Sequence, residues 1–371
     1  METNRRPSPL VLALLVAIGV TAVQALLVPL FAGIAANSEP RDLPVVVAGP
    51  PAAADGFAAQ LEQARPGAFE ILRRADADAA DQALRDREAY AAFVLGPDGA
   101  SLHTASAASP AVAQLLSQAA SEAAGQPVPV VDVVPGSPDD PRGAGFAAGF
   151  LPLAMTSLLA GVALVAAVWG RVPRLVGLVG FAVLAGLMAT TVLQTWLGVL
   201  SGDFLVNAAA IGLFALAAAG LVAGLGAALG RAGIGLGALL VFLLGNPLSA
   251  VSSAPELLPQ PWGAVGQWLP TGAGATLLRS ASWFDGAGAS QQLWTLVGWA
   301  VLGAVLVLVG RASLAPQRRL ATEPGAGAGA SGGHSGQPGQ LAGASGGRGT
   351  APGGRGEPQT ASSARDTGQS A

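Results

Sequence analysis

Residues 204–229 read FLVNAAAIGLFALAAAGLVAGLGAAL, a run without a charged side chain and with Asn207 as its one amide. A bilayer core takes about 20 apolar residues of helix, so this run is long enough to span one. Working outward, runs of the same kind occupy about 9–36, 144–169, 174–199, 234–253 and 291–310. Six candidate spans result, the fifth being short and Gly-rich. The first follows a polar head, and its length favours a spanning helix over a cleaved leader, although Gly33-Ile34-Ala35 has small residues suited to cleavage.

Composition agrees with this reading. Of 371 residues, 51% are hydrophobic and 11% charged, with a mean hydropathy of +0.53. A soluble globular chain carries about 25% charged residues. All 19 basic residues are arginine, which excludes a Walker A loop, a kinase-type phosphate lysine and a Schiff-base lysine. Cysteine is absent, so disulfides, thiol catalysis and thiolate metal sites are excluded. Two histidines, His103 and His334, offer little to a metal, and no cofactor is expected. The net charge of −3 argues against nucleic acid as a partner.

Arginine placement sets the expected orientation. Arg5 and Arg6 precede the first span, Arg171 and Arg174 separate the second from the third, and Arg231 separates the fourth from the fifth. Arg311, Arg318 and Arg319 follow the sixth. All fall on one side if both termini are cytoplasmic, which makes this a multi-pass protein of the cytoplasmic membrane. Within the spans, Gln24, Thr156, Thr190, Thr191, Gln194 and Asn207 are read as hydrogen-bonding groups between or within helices. No Asp, Glu, Arg or His lies in a span core, so a proton relay is missing. Gly220, Gly224, Gly226, Gly230, Gly233 and Gly237 predict closely packed helices.

Residues 37–143 are read as a small extracytoplasmic α/β domain inserted between the first two spans. Leu43 to Ala48, Phe69 to Leu72, Tyr90 to Leu95, Ala100 to Ala105 and Val128 to Val134 carry strand signals. Ala52 to Ala64, Asp76 to Glu88 and Ser109 to Ala124 carry helical ones. The alternation predicts a sheet with some parallel pairing. This segment holds 15 acidic residues and 7 arginines, a net of −8, read as a solvated acidic face. His103 reads as a lone sheet histidine, and Asp76, Asp78 and Asp81 lack the remaining spacing of a calcium loop.

Residues 313–371 form a Gly/Ala/Ser-rich stretch, read as a disordered cytoplasmic tail. The Gly-x-Ser-x-Gly matches at Gly329 and Gly343, and the Gly-x-Gly-x-x-Gly match at Gly327, are low-complexity coincidences there. No catalytic constellation is visible, and the chain is not read as an enzyme.

The segment 254–290 combines Pro255, Pro259, Pro261 and Pro270 with Trp262, Trp268 and Trp283. It is read as an outer loop with an aromatic belt, re-entrant or lying on the surface, and Pro259, Trp262, Trp268 and Pro270 are its candidate gate residues. One span, an outer α/β domain, five further spans and this loop make residues 9–312 resemble the ABC-2 type membrane proteins. The Ala89–Leu95 strand, the Ala105–Pro110 element and the Leu-Pro segment near Leu258 resemble the YhgE/Pip-like branch common in actinobacteria. That resemblance implies a permease half, working as a homo- or heterodimer among membrane lipids. A separate ATP-binding subunit would power its export of a lipid, drug or envelope component. Arg171, Pro173 and Arg174, in the short loop before the third span, are the candidate ATPase-coupling residues. The head before the first span and this loop are both shorter than the family pattern. The alternative function is a membrane-anchored scaffold or sensor whose outer domain binds an envelope partner.

Overall fold

The computed structural model describes residues 8–97 and 99–310, all within one compact unit, Met1–Gln317. The tail and the Gly-rich motifs in it lie outside the described residues. Six helices are long and apolar enough to cross a membrane, and a five-stranded mixed sheet stands between the first and second of them.

Helix α1 (Pro9–Val28) begins at Ser8, whose hydroxyl accepts from the Val11 N–H. It continues through a wider π turn at Pro29–Gly33 and the short piece Ile34–Ala36. No residue of α1 is buried.

The sheet has the order β2-β1-β3-β4-β5. Strand β1 (Leu43–Ala48) pairs in parallel with β2 (Phe69–Arg74) and with β3 (Ala91–Gly96). The third strand pairs antiparallel with β4 (Gly99–Thr104), and β5 (Val130–Asp132) adds in parallel. Strand β1 is a continuous apolar run because both its faces are covered. Val46 and Ala48 meet Ala80 and Leu84 of α3 (Ala77–Arg85) on one side. Leu43 and Val45 share the other side with Phe57 of α2 (Pro51–Ala64) and Val112 and Leu116 of α4 (Pro110–Ala124). Asp76 and Ser109 cap α3 and α4 through bonds to the N–H groups of Ala79 and Val112. The last strand is shorter than its sequence suggests, since Pro127 and Pro129 have no N–H to give a ladder. His103 is not isolated: its Nδ1 lies 2.6 Å from Asp81 Oδ1.

The remaining candidate spans among the described residues are α5 (Ala144–Ala167), α6 (Arg171–Thr190, extended by π turns through Trp196), α7 (Phe204–Leu229), α8 (Arg231–Ala238) and α11 (Ser290–Val309). A π stretch (Leu239–Leu244) and a last turn (Gly245–Leu248) complete the fifth span. The run read first, α7, is the central helix: 72% of its apolar window is buried, against 28% or less in every other span. It can be central because its neighbours come within backbone distance. A Cβ at Gly161 of α5 would stand 2.7 Å from Ala219 O, and one at Gly186 of α6 would stand 2.2 Å from Ala208 O. At Gly237 of α8 it would meet Val222 Cα at 2.9 Å, and at Gly303 of α11 the Gly220 carbonyl carbon at 2.4 Å. Small residues on both sides thus convert an apolar helix into a packed core. Of the glycine row expected from sequence, Gly224, Gly233 and Gly237 make backbone approaches, whereas a Cβ at Gly226 would meet only the side chains of Ile234 and Val165.

Two expectations are corrected by the fold. The segment 254–290 does not lie on the surface. It forms α9 (Trp262–Trp268) and α10 (Pro270–Trp283), a helical hairpin with twelve of the fourteen α10 residues buried. Gly274 of α10 packs on the Phe214 ring and Ser282 bonds Asn207, so α10 runs antiparallel beside the first part of α7. Its alternation of Gly, Ala and Ser is what admits it to the bundle. The third span, second, begins at Arg171 rather than about residue 174. The connection before it is therefore Val168 to Gly170, and Arg171, Pro173 and Arg174 form the first turn of α6.

Candidate functional site

The sheet and the bundle meet over a shared core. Ala254 and Leu257, from the segment leading to α9, pack with Leu43, Val45 and Phe93, while Phe284 after α10 packs with Ala80, Leu84 and Ala107. Backbone bonds from Glu39 N to Leu257 O and from Arg41 N to Glu256 O stitch the same seam, at 3.1 and 3.0 Å.

Arg87 crosses this seam. It follows α3 at φ 60°, where the chain reverses, and this left-handed residue turns its side chain toward the bundle. Its Nη1 donates to Thr276 O at 3.1 Å and to the Ser280 hydroxyl, and the guanidinium lies 5.5 Å from the Phe284 ring centre. Three residues on, the Tyr90 hydroxyl donates to Glu256 Oε2 at 2.9 Å. Burial pushes the Tyr90 phenol well up, and the neighbouring Glu256 carboxylate adds to the rise. Burial also raises Glu256, against the opposing pull of its hydrogen bonds and Arg87, and lowers Arg87. These residues wall a cavity of about 340 Å³ with Glu88, Gln267, Gln292 and Trp268.

Deeper in the hairpin, Arg279 is buried. Its Nη2 donates to Val251 O at 2.8 Å, and its guanidinium lies 4.7 Å over the Phe146 ring. Gln267 accepts from Thr276 Oγ1 at 2.7 Å, joining α9 to α10. Asn207 ties three segments: Nδ2 donates to Ser201 O at 2.7 Å and Gln194 Oε1 at 3.0 Å, and Oδ1 accepts from Ser282 at 2.9 Å. Two of the span polar residues thus bond between segments. Thr156 and Thr191 bond back to Pro152 O and Leu187 O within their own helices, and Thr190 Oγ1 has no partner.

The residues singled out from sequence are not brought together. Pro259 and Trp262 stand at the start of α9, with Trp262 47% exposed, whereas Trp268 and Pro270 stand at the hairpin tip. Arg171 and Pro173 are exposed at the far end of the bundle. Arg174 is buried: Nε donates to Val168 O at 2.8 Å and Nη2 to Val165 O at 3.1 Å, closing the C-terminus of α5. The junction residues Arg87, Tyr90, Glu256 and Arg279 were not singled out from sequence, because three segments far apart in the chain contribute them. One signal existed: Arg279 interrupts the helical run Leu277-Leu278-Arg279-Ser280, and a lone charge there asks for a buried partner.

The site's chemistry is mixed, with buried polar and charged groups set into a wall that also holds Pro44, Ala89, Ala108 and Pro255. Among the described residues no group of three His, Asp or Glu could hold a metal. Compared with protein-family models, curated proteins and solved structures, the chain matches none.

The Glu256 shift carries a pH prediction. Its carboxyl has a folded-state value above the ordinary one, so the fold favours the protonated form. Stability from this group is therefore fullest below the ordinary carboxylate range and declines as pH rises through the raised value. Glu256→Gln keeps an acceptor for Tyr90 and removes the titration. Thermal unfolding in detergent from about pH 4 to about pH 8 should fall less steeply in the variant. Parallel curves would show that the carboxyl does not titrate with folding. Tyr90→Phe, which leaves the carboxyl without its donor, should cost about 1–2 kcal/mol.

Proposed function

We propose that the chain is a multi-pass membrane subunit of the ABC-2 permease type, exporting a lipid, drug or envelope component with energy from a separate ATPase. The observation that carries the reading is the α9–α10 hairpin. It ends inside the bundle beside α7, is held there by polar side chains, and is tied to the outer domain through Arg87. A bilayer tolerates such interrupted helices where they are buried in protein or line a cavity, and an arginine among spanning helices marks a functional element. Charge supports the orientation: Arg171, Arg174 and Arg231 stand at the bundle end away from the sheet, as expected of a sheet outside and both termini inside. With no ionisable group in the span cores, motive force must come from a partner. Of the candidate coupling residues, Arg171 and Pro173 are free to meet one, and Arg174 is engaged with α5.

Purification in mild detergent should bring down a nucleotide-binding subunit, and vesicles holding both should show ATP-dependent export that Arg171→Glu abolishes. Single cysteines at Ala79 and Ser331, in a chain with no other cysteine, should label oppositely with an impermeant reagent. Labelling of Ser331→Cys in intact cells sinks the orientation; a pure protein with no nucleotide-binding partner sinks the permease. The second reading, a membrane-anchored sensor or scaffold, is favoured by the junction cavity. It gains if the isolated protein binds an envelope component without any ATPase.

A further inference from the structure

The junction cavity does not end at the bundle. A second depression of about 470 Å³ runs down α11 between Trp294, Trp299 and Leu302, and the two share Trp268 and Gln291 in their walls. Their chemistries differ sharply. The cavity sets amides, carboxyls and one guanidinium among prolines and alanines such as Pro44, Ala89 and Pro255; the groove is mainly indole and aliphatic, with Gly298 in its lining. Between them α11 carries two buried side chains one turn apart, Gln292 at 9% exposed and Thr295 at 8%. Gln292 lines the cavity and its Oε1 has no hydrogen-bond partner; Thr295 lines the groove and its Oγ1 has none either. A buried polar atom left unpaired costs about 1–3 kcal/mol, and a ligand that pairs it recovers that energy. The Gln292 oxygen is itself buried, so a ligand in the cavity reaches it once the amide rotates.

We propose that the cavity and the groove are one site for a glycolipid, the sugar in the cavity and the alkyl chain in the groove. This rests on the membrane-spanning reading but requires neither transport nor an ATPase. A receptacle holding polar and charged groups, continuous with an apolar trough, fits an amphiphile and no wholly polar or wholly apolar molecule. The head is a polyol rather than a phosphate. Arg87, the cavity's one cation, already gives Nη1 to Thr276 and Ser280, and Glu88 and Glu256 share the space with it. A phosphate would add negative charge beside two carboxyls. Sugar hydroxyls instead donate to Gln292 and the carboxyls and accept from the Gln291 and Gln267 amides. Trp268, 59% exposed at the boundary, offers its ring to the sugar's C–H face.

The test places the full chain in phosphatidylcholine nanodiscs containing equal small amounts of a diacyl glucoside and a phosphatidylglycerol with identical acyl chains. Native mass spectrometry then reads which lipid stays with the ejected protein. The glucoside should be retained about tenfold over the phosphatidylglycerol. Gly298→Trp fills the groove where an added Cβ meets nothing, so it should abolish retention while leaving the fold intact. Gln292→Leu should cut retention about tenfold, with unfolding temperature measured alongside. Equal retention of the two lipids, as for an annular layer, overturns the proposal alone. So does undiminished glucoside binding in Gly298→Trp, or competition by methyl glucoside as effective as by the glucolipid. Failure of the protein to enter a nanodisc overturns the membrane reading and this site with it.

Discussion

Gly303→Val should destabilise the bundle by about 3 kcal/mol or more, enough to remove most folded protein from a detergent extract. The reason is geometric. A Cβ at 303 would lie 2.4 Å from the Gly220 carbonyl carbon, 2.5 Å from its oxygen and 2.9 Å from Leu221 N. All three are backbone atoms of the central helix, so no side chain can swing away and α7 and α11 must part along their length. Even Gly303→Ala should be strongly destabilising, which distinguishes backbone contact from loss of helix flexibility. The control lies on the same helix: Gly298→Ala meets nothing and should stabilise by about 0.5–1 kcal/mol through helix propensity. Unfolding temperatures and monodisperse yield in detergent would check the pair. Comparable behaviour of the two alanine variants would refute the close-packing account of α7.

The second large effect is expected at Arg174, and it separates two roles that adjacent arginines seem to share in the sequence. Arg174→Glu exchanges two charge-assisted bonds to Val165 O and Val168 O for a buried carboxylate facing the same oxygens. Each such bond contributes about 1.5–3 kcal/mol, so a loss of about 3–5 kcal/mol follows, and the α5–α6 turn should open. Arg171→Glu, at an exposed position, should change stability by less than about 0.5 kcal/mol. The coupling proposal therefore stands or falls on Arg171 alone. An Arg171→Glu protein that folds, keeps its topology and still exports at the full ATP-dependent rate would end it. An equal loss of stability in both variants would instead contradict the capping role of Arg174.

Much of the architecture was legible beforehand, and the parts that were not share a cause. Strand β1 and the starts of the helices near Asp76 and Ser109 were readable because each is a local pattern: an apolar run between turn residues, or a short polar side chain before a helix. Segment 254–290 was left open between a re-entrant and a surface-lying loop for the opposite reason. Pro255, Pro259, Pro261 and Pro270 correctly signal that no helix runs through the segment. Yet α10 is buried by the glycines and alanines that elsewhere in this Gly-rich chain look like filler. The role of Arg279 is not visible locally because its partners, Val251 O and the Phe146 ring, are distant in sequence. The candidate site was less legible still. Arg87, Tyr90, Glu256 and Gln292 carry no motif, and no spacing relates them.

What the sequence determined by itself is everything governed by hydropathy and by one-residue backbone chemistry: six apolar runs, an alternating sheet domain, arginine in two of the three short connections between the later runs and absent from Ser201-Gly202-Asp203, and the exclusions set by absent lysine and cysteine. Tertiary structure alone decided which run is central, that Arg174 caps while Arg171 is free, and that the sheet shares its core with the hairpin's flanks. The division follows from the range of the forces. Burial of an apolar run and capping of a helix end are set within a few residues along the chain. The choice among equally apolar helices depends on where glycines of separate segments come face to face, as Gly303 does with Gly220.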